Sequence, residues 1–264
     1  MQRVFITGAS SGLGEALARQ YARDGALLAL VGRRQAQLEL LRASLPNPAQ
    51  HRVYALDVND HAALAAAAAD FMKAYDGIDV VIANAGISQG TLTELAEDLP
   101  VFAQIVATNL TATVATFAPF ITAMKAQQNA RRPAFPPRLV AIASVAGIRG
   151  LPGAAAYSAS KAAVISYCES LRVELRGSGI RVVTLVPGYI DTPMTQANAY
   201  PMPFLMPAEK FAAQAVRVID AGRSYWVIPW QMGLVAKLLR CLPNMLYDRV
   251  FARAPHKARA QHVT

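Results

Sequence analysis

The sequence predicts an α/β fold built on an open parallel sheet, and three observations carry that prediction. Short apolar runs alternate along the chain with longer segments whose apolar residues recur at helical spacing. The first run stops in a glycine-rich turn that opens such a segment. The early runs also end in polar residues, Thr7, Arg33, Asp57 and Asn84, which a parallel sheet gathers along the carboxyl edge of its strands, where ligands lie.

A chain of 264 residues suffices for one large domain and is short for two. With 54% hydrophobic and 16% charged residues, disorder over most of its length is excluded. Met1-Gln2-Arg3 runs straight into an apolar stretch, so no secretory or transit leader is expected. Cys168 and Cys241 both lie in apolar helical contexts and read as reduced core residues of a cytoplasmic protein. The histidines, His51, His61, His256 and His262, are scattered, and no metal set is expected. Net charge is +9, and five of those charges come after Trp226, from Lys237, Arg240, Arg249, Arg253, Lys257 and Arg259 against Asp248. These bases form no block and are not interleaved with aromatic residues, which argues against a nucleic-acid partner.

Taken in order, the run 4–6 leads into Thr7-Gly8-Ala9-Ser10-Ser11-Gly12-Leu13-Gly14 and then a helix up to Asp24-Gly25. Strand, glycine turn and helix suit a pyrophosphate: glycines let the backbone approach, and the first helical N–H groups face the anion. The spacing Gly-x-x-x-Gly-x-Gly departs from the usual Gly-x-Gly-x-x-Gly. The second run, 26–31, stops at Gly32-Arg33-Arg34, where an acid would bind the ribose hydroxyl of NAD. Two arginines stand there instead, and a guanidinium fork suits a ribose phosphate, so NADP(H) is the expected cofactor, held by Arg33 first and Arg34 second. A helix over 35–45, a strand over 52–56 delivering Asp57, a helix over 61–75 and a strand over 79–83 delivering Asn84-Ala85-Gly86 follow.

The stretch 94–127 is mainly helical and carries Asn109 among apolar neighbours. Asparagine is poor in mid-helix, so either a buried amide with partners or a local kink is expected. A loop over 128–137, containing Pro133, Pro136 and Pro137, leads to a fifth strand, 139–143, which ends at Ser144. Tyr157 and Lys161 stand four residues apart before a helical pattern over 162–176, and they share a face if the helix includes Tyr157. A tyrosine with a pKa of about 10 needs roughly three units of help, on the order of 4 kcal/mol, to exchange protons at neutral pH. A lysine one turn away supplies part of it, and Ser144 would donate to the substrate oxygen. Gly177 and Gly179 mark a turn before a sixth strand, 181–186, which ends in Pro187-Gly188-Tyr189-Ile190-Asp191-Thr192-Pro193. The apolar, proline-interrupted segment 194–207 reads as a flexible lid over a substrate or as a packed loop, and a helix over 208–221 and a strand over 225–228 complete the unit.

Together these residues resemble the classical short-chain dehydrogenase/reductase family over about residues 3–228. The glycine pattern, Asp57-Val58, Asn84-Ala85-Gly86, Asn109, Ser144, Tyr157, Lys161 and Pro187-Gly188 follow the family's order and spacing. The resemblance implies a single doubly wound (Rossmann) α/β domain with a seven-stranded parallel sheet, spanning 1–228. It implies Tyr157 as general acid/base, Lys161 lowering its pKa and holding the nicotinamide ribose, Ser144 polarising the carbonyl, and Asn109 supporting the site helix and a water path. By the same resemblance Gly8, Ser10, Ser11, Gly12, Leu13 and Gly14 form the phosphate turn. Asp57 and Val58 would meet the adenine, Asn84, Ala85, Gly86, Pro187 and Gly188 would line the cofactor, and Ile190 and Thr192 would meet the nicotinamide amide. It further implies direct hydride transfer without a metal and a homo-oligomer, dimer or tetramer, built through 94–127 and 156–176. Ala83 and Ala143 depart from residues common in the family, asparagine and serine, without removing a catalytic group. The expected activity is interconversion of an alcohol with a ketone or aldehyde on an apolar small molecule. The rivals are a non-catalytic NADP-binding sensor or scaffold and an enzyme that reduces a carbon–carbon double bond or epimerises a sugar.

The extension 229–264 carries an apolar stripe, Leu234, Val235, Leu238, Leu239 and Leu242, with Lys237 and Arg240 off it, and Met245, Leu246, Val250 and Phe251 continue in a second piece of helix. The stretch is too short and too charged to span a bilayer. It either lies peripherally on an anionic membrane surface or packs on its own substrate pocket or a sister subunit.

Overall fold

The inner strands of the sheet are covered on both faces, which is why their sequence runs are apolar throughout rather than alternating, while the edge strands at 52–55 and 225–228 are partly exposed. The computed structural model describes residues 1–131, 136–196, 198, 200–252, 257 and 259. β1 (Arg3–Thr7), β2 (Leu27–Gly32), β3 (Arg52–Ala55), β4 (Val80–Ala83), β5 (Arg138–Ile142), β6 (Arg181–Pro187) and β9 (Tyr225–Ile228) form one parallel sheet in the order β3-β2-β1-β4-β5-β6-β9. A second, two-stranded pairing joins β7 (Ile190–Asp191) to β8 (Met206–Pro207).

One face of the sheet presents Val4, Ile6, Leu28, Leu30, Val80 and Ile82 to Leu17 and Tyr21 of α1 (Gly12–Arg23), Leu38 and Leu41 of α2 (Gln35–Ser44) and Phe211 of α8 (Ala208–Asp220). The other presents Phe5, Ala29, Val81, Leu139 and Val182 to Phe71 of α3 (His61–Tyr75), Phe117 and Phe120 of α5 (Ala112–Arg131) and Val164 of α6 (Ala155–Glu174). Phe5 meets Phe120 and Phe71 edge-on, with centroids 5.0 and 6.1 Å apart. This is the doubly wound arrangement, and its strand order reverses between β2 and β4 on either side of β1, which opens a crevice above their carboxyl ends. At the opposite edge the Arg3 guanidinium pairs with Asp79 at 2.7 Å.

The stretch preceding β5 shows the local break expected at Asn109 and one departure from its expected form. α4 (Leu99–Val106) passes into α5 through one wide π turn, Ala107–Thr111, centred on Asn109. The helix also runs to Arg131, so a loop beginning at 128 is corrected: Gln127 bonds both the N–H and the carbonyl of Ile78 at 3.1 Å, and Gln128 donates to the Gly179 carbonyl at 3.1 Å. Pro133 lies outside the described residues. Among those residues, Ala96–Gln128 is the one helical stretch long and apolar enough to cross a bilayer, yet Phe117, Phe120 and Met124 on it are wholly buried against the sheet.

After β9 the chain forms α9 (Trp230–Cys241) and α10 (Asn244–Phe251). Their most buried residues are Met232, Gly233, Ala236 and Tyr247; of the leucine stripe, Leu234 and Leu238 are 55% and 62% exposed while Val235, Leu239 and Leu242 are half-buried, and small residues let the helix lie close to the sheet. Gly233 sits so near Val227 that a Cβ would come within 3.1 Å of it. Cys241 is exposed at the end of α9, not in the core, whereas Cys168 is buried and its thiol is pushed up to about 11 by that burial. Arg253 lies outside the described residues.

Candidate active site

The glycine turn is held open from below. Thr7 Oγ1 accepts from the N–H groups of Asn84 and Ala85 at 3.1 and 3.2 Å, and Asn84 Nδ2 donates back to the carbonyls of Thr7 and Gly8 at 3.0 and 3.2 Å. Asn84 thus ties the end of β4 to the turn after β1. Gly14 lies beneath this turn, where a Cβ would stand 2.1 Å from the Gly8 carbonyl oxygen, so only glycine lets α1 begin there. Arg34 braces the outside: Nη2 donates to Ser10 Oγ, the Ser10 carbonyl and Ser11 Oγ at 2.9, 3.1 and 2.7 Å. Arg33 is left looser, its side chain 66% exposed and 3.8 Å from Asp57. Asp57 in turn accepts from the N–H and side-chain amide of Asn59, both at 2.9 Å.

Asn109 is wholly buried, and the π turn and the buried amide, posed as alternatives by the sequence, occur together. Its Oδ1 accepts from the Ile87 N–H at 2.9 Å, and its Nδ2 donates to the Ile87 carbonyl and Ser160 Oγ, both at 3.0 Å. Ser160 donates to the Tyr157 carbonyl at 2.8 Å. Asn109 therefore links the segment after β4 to the helix that carries the tyrosine and the lysine.

That helix carries Tyr157 in its first turn and Lys161 one turn on. The segment after β5 can press against it because Gly147 has no side chain: a Cβ there would lie 2.6 Å from the Lys161 backbone. Ser144, on the same segment, accepts from the Ala146 N–H at 3.2 Å and hydrogen-bonds the Tyr157 side chain. Lys161 is buried, donates from Nζ to the Ile142 carbonyl at 2.7 Å, and lies 5.8 Å from the Tyr157 ring centroid. Burial pushes Lys161 down to about 8. Burial also pushes the Tyr157 phenol up, and only the Ser144 hydrogen bond pulls it down.

These elements frame one cleft of about 820 Å³ that runs from Arg33 and Arg34 past the glycine turn to Ser144, Tyr157 and Lys161. Gly8, Ser10, Ser11, Gly12, Leu13, Asp57, Val58, Asn84, Ala85, Gly86, Pro187, Gly188, Ile190 and Thr192 border it as well. Of the residues singled out in the sequence for the site, Thr7, Gly14 and Asn109 stand behind its wall. A short chain dehydrogenase family model matches residues 2–201. The chain belongs to the short-chain dehydrogenase/reductase family.

Relatives cover nearly the whole of this dehydrogenase/reductase chain. An uncharacterized oxidoreductase of Myxococcus xanthus is 36% identical, over 94% of this chain and 95% of its own. A solved 3-ketoacyl-(acyl-carrier-protein) reductase from Brucella melitensis, complexed with NADH, superposes with a TM-score of 0.78 at 26% identity, over 86% of this chain and 96% of its own. An alcohol dehydrogenase from the archaeon Thermococcus sibiricus, complexed with 5-hydroxy-NADP, gives 0.74 at 25% identity, with the same coverage. The family pattern does not extend to several further residues that border the cleft: Gln104 and Thr108 from the helical stretch before β5, Met194 from α7 (Pro193–Gln196), and Lys257 and Arg259 from the tail. Thr108 accepts from Asn59 at 3.2 Å, a partner that no local pattern announces. Of the apolar segment 194–207, Met194 and Thr195 reach the cleft while Phe204 and Leu205 are exposed, so it neither wholly covers the site nor wholly packs away. Residues 197 and 199 lie outside the described residues.

Proposed function

We propose that the protein is an NADP(H)-dependent oxidoreductase that interconverts a hydroxyl and a carbonyl on an apolar small molecule. The observation that carries this reading is the meeting of Ser144, Tyr157 and Lys161 on one wall of the cleft that starts at the glycine turn. The residues present fit the cofactor. The turn offers close backbone approach at the start of α1, and Arg33, at the end of β2, presents a mostly exposed guanidinium where an acid would favour the unphosphorylated ribose. Bound there, the nicotinamide supplies or accepts the hydride.

The chain's own groups handle the proton and the developing charge. Tyr157, a phenol at neutral pH, gives its proton to the carbonyl oxygen as charge builds on it, while the Ser144 hydroxyl donates to the same oxygen. Lys161 has further N–H donors beyond the one bound to Ile142, free to hold a ribose hydroxyl, and its cation lowers the cost of phenolate once the proton has left. Asn109 fixes the helix position through Ile87 and Ser160.

The test is fluorescence titration with NADPH, joined to turnover of apolar ketones and aldehydes by the protein and its Tyr157→Phe variant. The variant is expected to lose about 10²–10⁴-fold in turnover while still binding NADPH, the range general acid catalysis supplies. Binding without turnover by the unaltered protein favours a sensor, and activity retained by the variant removes Tyr157 from its role.

A further inference from the structure

Lys257 and Arg259 reach the cleft from the other end of the chain, and the reading above uses neither. Arg259 is an anchor. Its Nε and Nη2 donate to the two oxygens of Asp98 at 2.9 and 3.0 Å, and Nη2 also reaches Glu97 at 3.2 Å. Asp98 is 3% exposed and accepts from the Leu92 N–H at 2.8 Å, so the fork closes on a carboxylate already fixed in place. A parallel backbone bridge between residue 259 and Gly90 adds a second tie. The tail is thereby strapped to the segment that follows Asn84-Ala85-Gly86.

Two residues before that anchor, Lys257 borders the same cleft as Ser144 and Tyr157, with Nζ 5.9 Å from the Tyr157 ring centroid. Among the described residues it has no hydrogen bond and no ion pair, unlike Arg259 beside it. It is half-buried, and desolvation holds its ammonium below the usual lysine range. A cation fixed by a neighbouring strap, partly desolvated and lacking a counter-charge, is completed by an anion that enters with the ligand. The cofactor's phosphates are served at the glycine turn and by the arginines beyond it, whereas Lys257 stands beside the proton donor.

We propose that Lys257 is a specificity residue of this site that binds a carboxylate or equivalent oxyanion on the substrate, which makes the substrate an oxo or hydroxy acid with an apolar body. The assignment rests on the oxidoreductase reading for the substrate's reactive group and deepens it by adding the charged end. Arg259 is the positioning residue that holds the strap.

The experiment is calorimetric titration of the full chain, saturated with NADPH, using octanoate and octanamide as probes, alongside kcat/KM for 6-oxoheptanoate and its methyl ester. The unaltered protein is expected to favour the anion of each pair by about tenfold or more, the worth of one hydrogen bond to a charged group. Lys257→Gln should erase that preference, mainly through KM, Lys257→Arg should restore most of it, and Arg259→Ala should weaken it by releasing the strap. Equal affinity for octanoate and octanamide, or a preference that survives Lys257→Gln, overturns the proposal. So does a fall in NADPH affinity in Lys257→Gln, which would assign the lysine to the cofactor. The calorimetry needs no turnover, so loss of the oxidoreductase reading and loss of the anion site are separate results.

Discussion

Arg33 and Arg34 are adjacent in sequence and differently placed. Arg34 is engaged with Ser10 and Ser11, so its removal loosens the turn that any dinucleotide would use; Arg33 has only a long contact with Asp57. Arg33→Ala is therefore expected to weaken NADPH by about 10- to 100-fold, the worth of a charge-assisted bond, and NADH far less, while Arg34→Ala weakens both. Fluorescence titrations with the two nucleotides check this, and equal losses in Arg33→Ala would count against a ribose-phosphate role. Reduction also carries a pH signature. In the proposed mechanism it uses the Tyr157 proton, kept at neutral pH because the phenol's pKa is raised, and the Lys161 ammonium, lost above about 8 because its pKa is lowered. Both forms exist on the acid side of their pKa values, so kcat/KM for reduction should be level below about pH 8 and fall above it; a profile that rises through pH 8 to 9 would contradict the assignment. Ser144, Tyr157 and Lys161 were legible because their chemistry is written in their types and spacing. Lys257 was not, since its importance comes from a fork on Asp98 far away in the chain.

Among the elements, the strands were legible to within a residue or so at each end, the inner ones because burial on both faces leaves an unbroken apolar run. The π turn showed only as an asparagine out of place, and the extension of α5 to Arg131 not at all, since Gln127 and Gln128 hold it through partners on other elements. α9 was located correctly, but which residues face the sheet was not legible: hydrophobicity marked the leucines, whereas closeness of approach put Met232, Gly233 and Ala236 on the inner face. The outward face now carries Trp230, Leu234 and Leu238, with Met245 and Val250 on α10, beside Lys237, Arg240 and Arg249. We propose that this face rests peripherally on anionic membrane surfaces, as apolar residues flanked by bases do. Cosedimentation with anionic liposomes should be lost in a Leu234→Glu, Leu238→Glu double variant; unaltered protein that ignores such liposomes would leave the face to a subunit contact.

At the scale of the whole molecule, the parallel sheet brings residues as distant as Gly8 and Lys257 onto one cleft; the family resemblance carried the doubly wound, seven-stranded arrangement, which periodicity alone did not. The remaining exposed apolar residues include Leu99, Val114 and Val173 on α4, α5 and α6, at 69%, 37% and 64%. We propose that these helices form the homo-oligomer contact. Light scattering after size exclusion should report a dimer or tetramer, and Val114→Glu with Val173→Glu should shift it toward the monomer.

The order of strands in space has a consequence for how the chain comes together. β1 is made first and sits inside the sheet; β2 and β3 add on one side, and β4, β5, β6 and β9 then add in turn on the other. Each newly synthesised strand thus meets an open edge, and none has to be threaded between two already paired. One edge of β1, with its run Val4-Phe5-Ile6, nevertheless stays unpaired until Val80 emerges. In a nascent chain that edge is where a chaperone, or another copy, would first take hold.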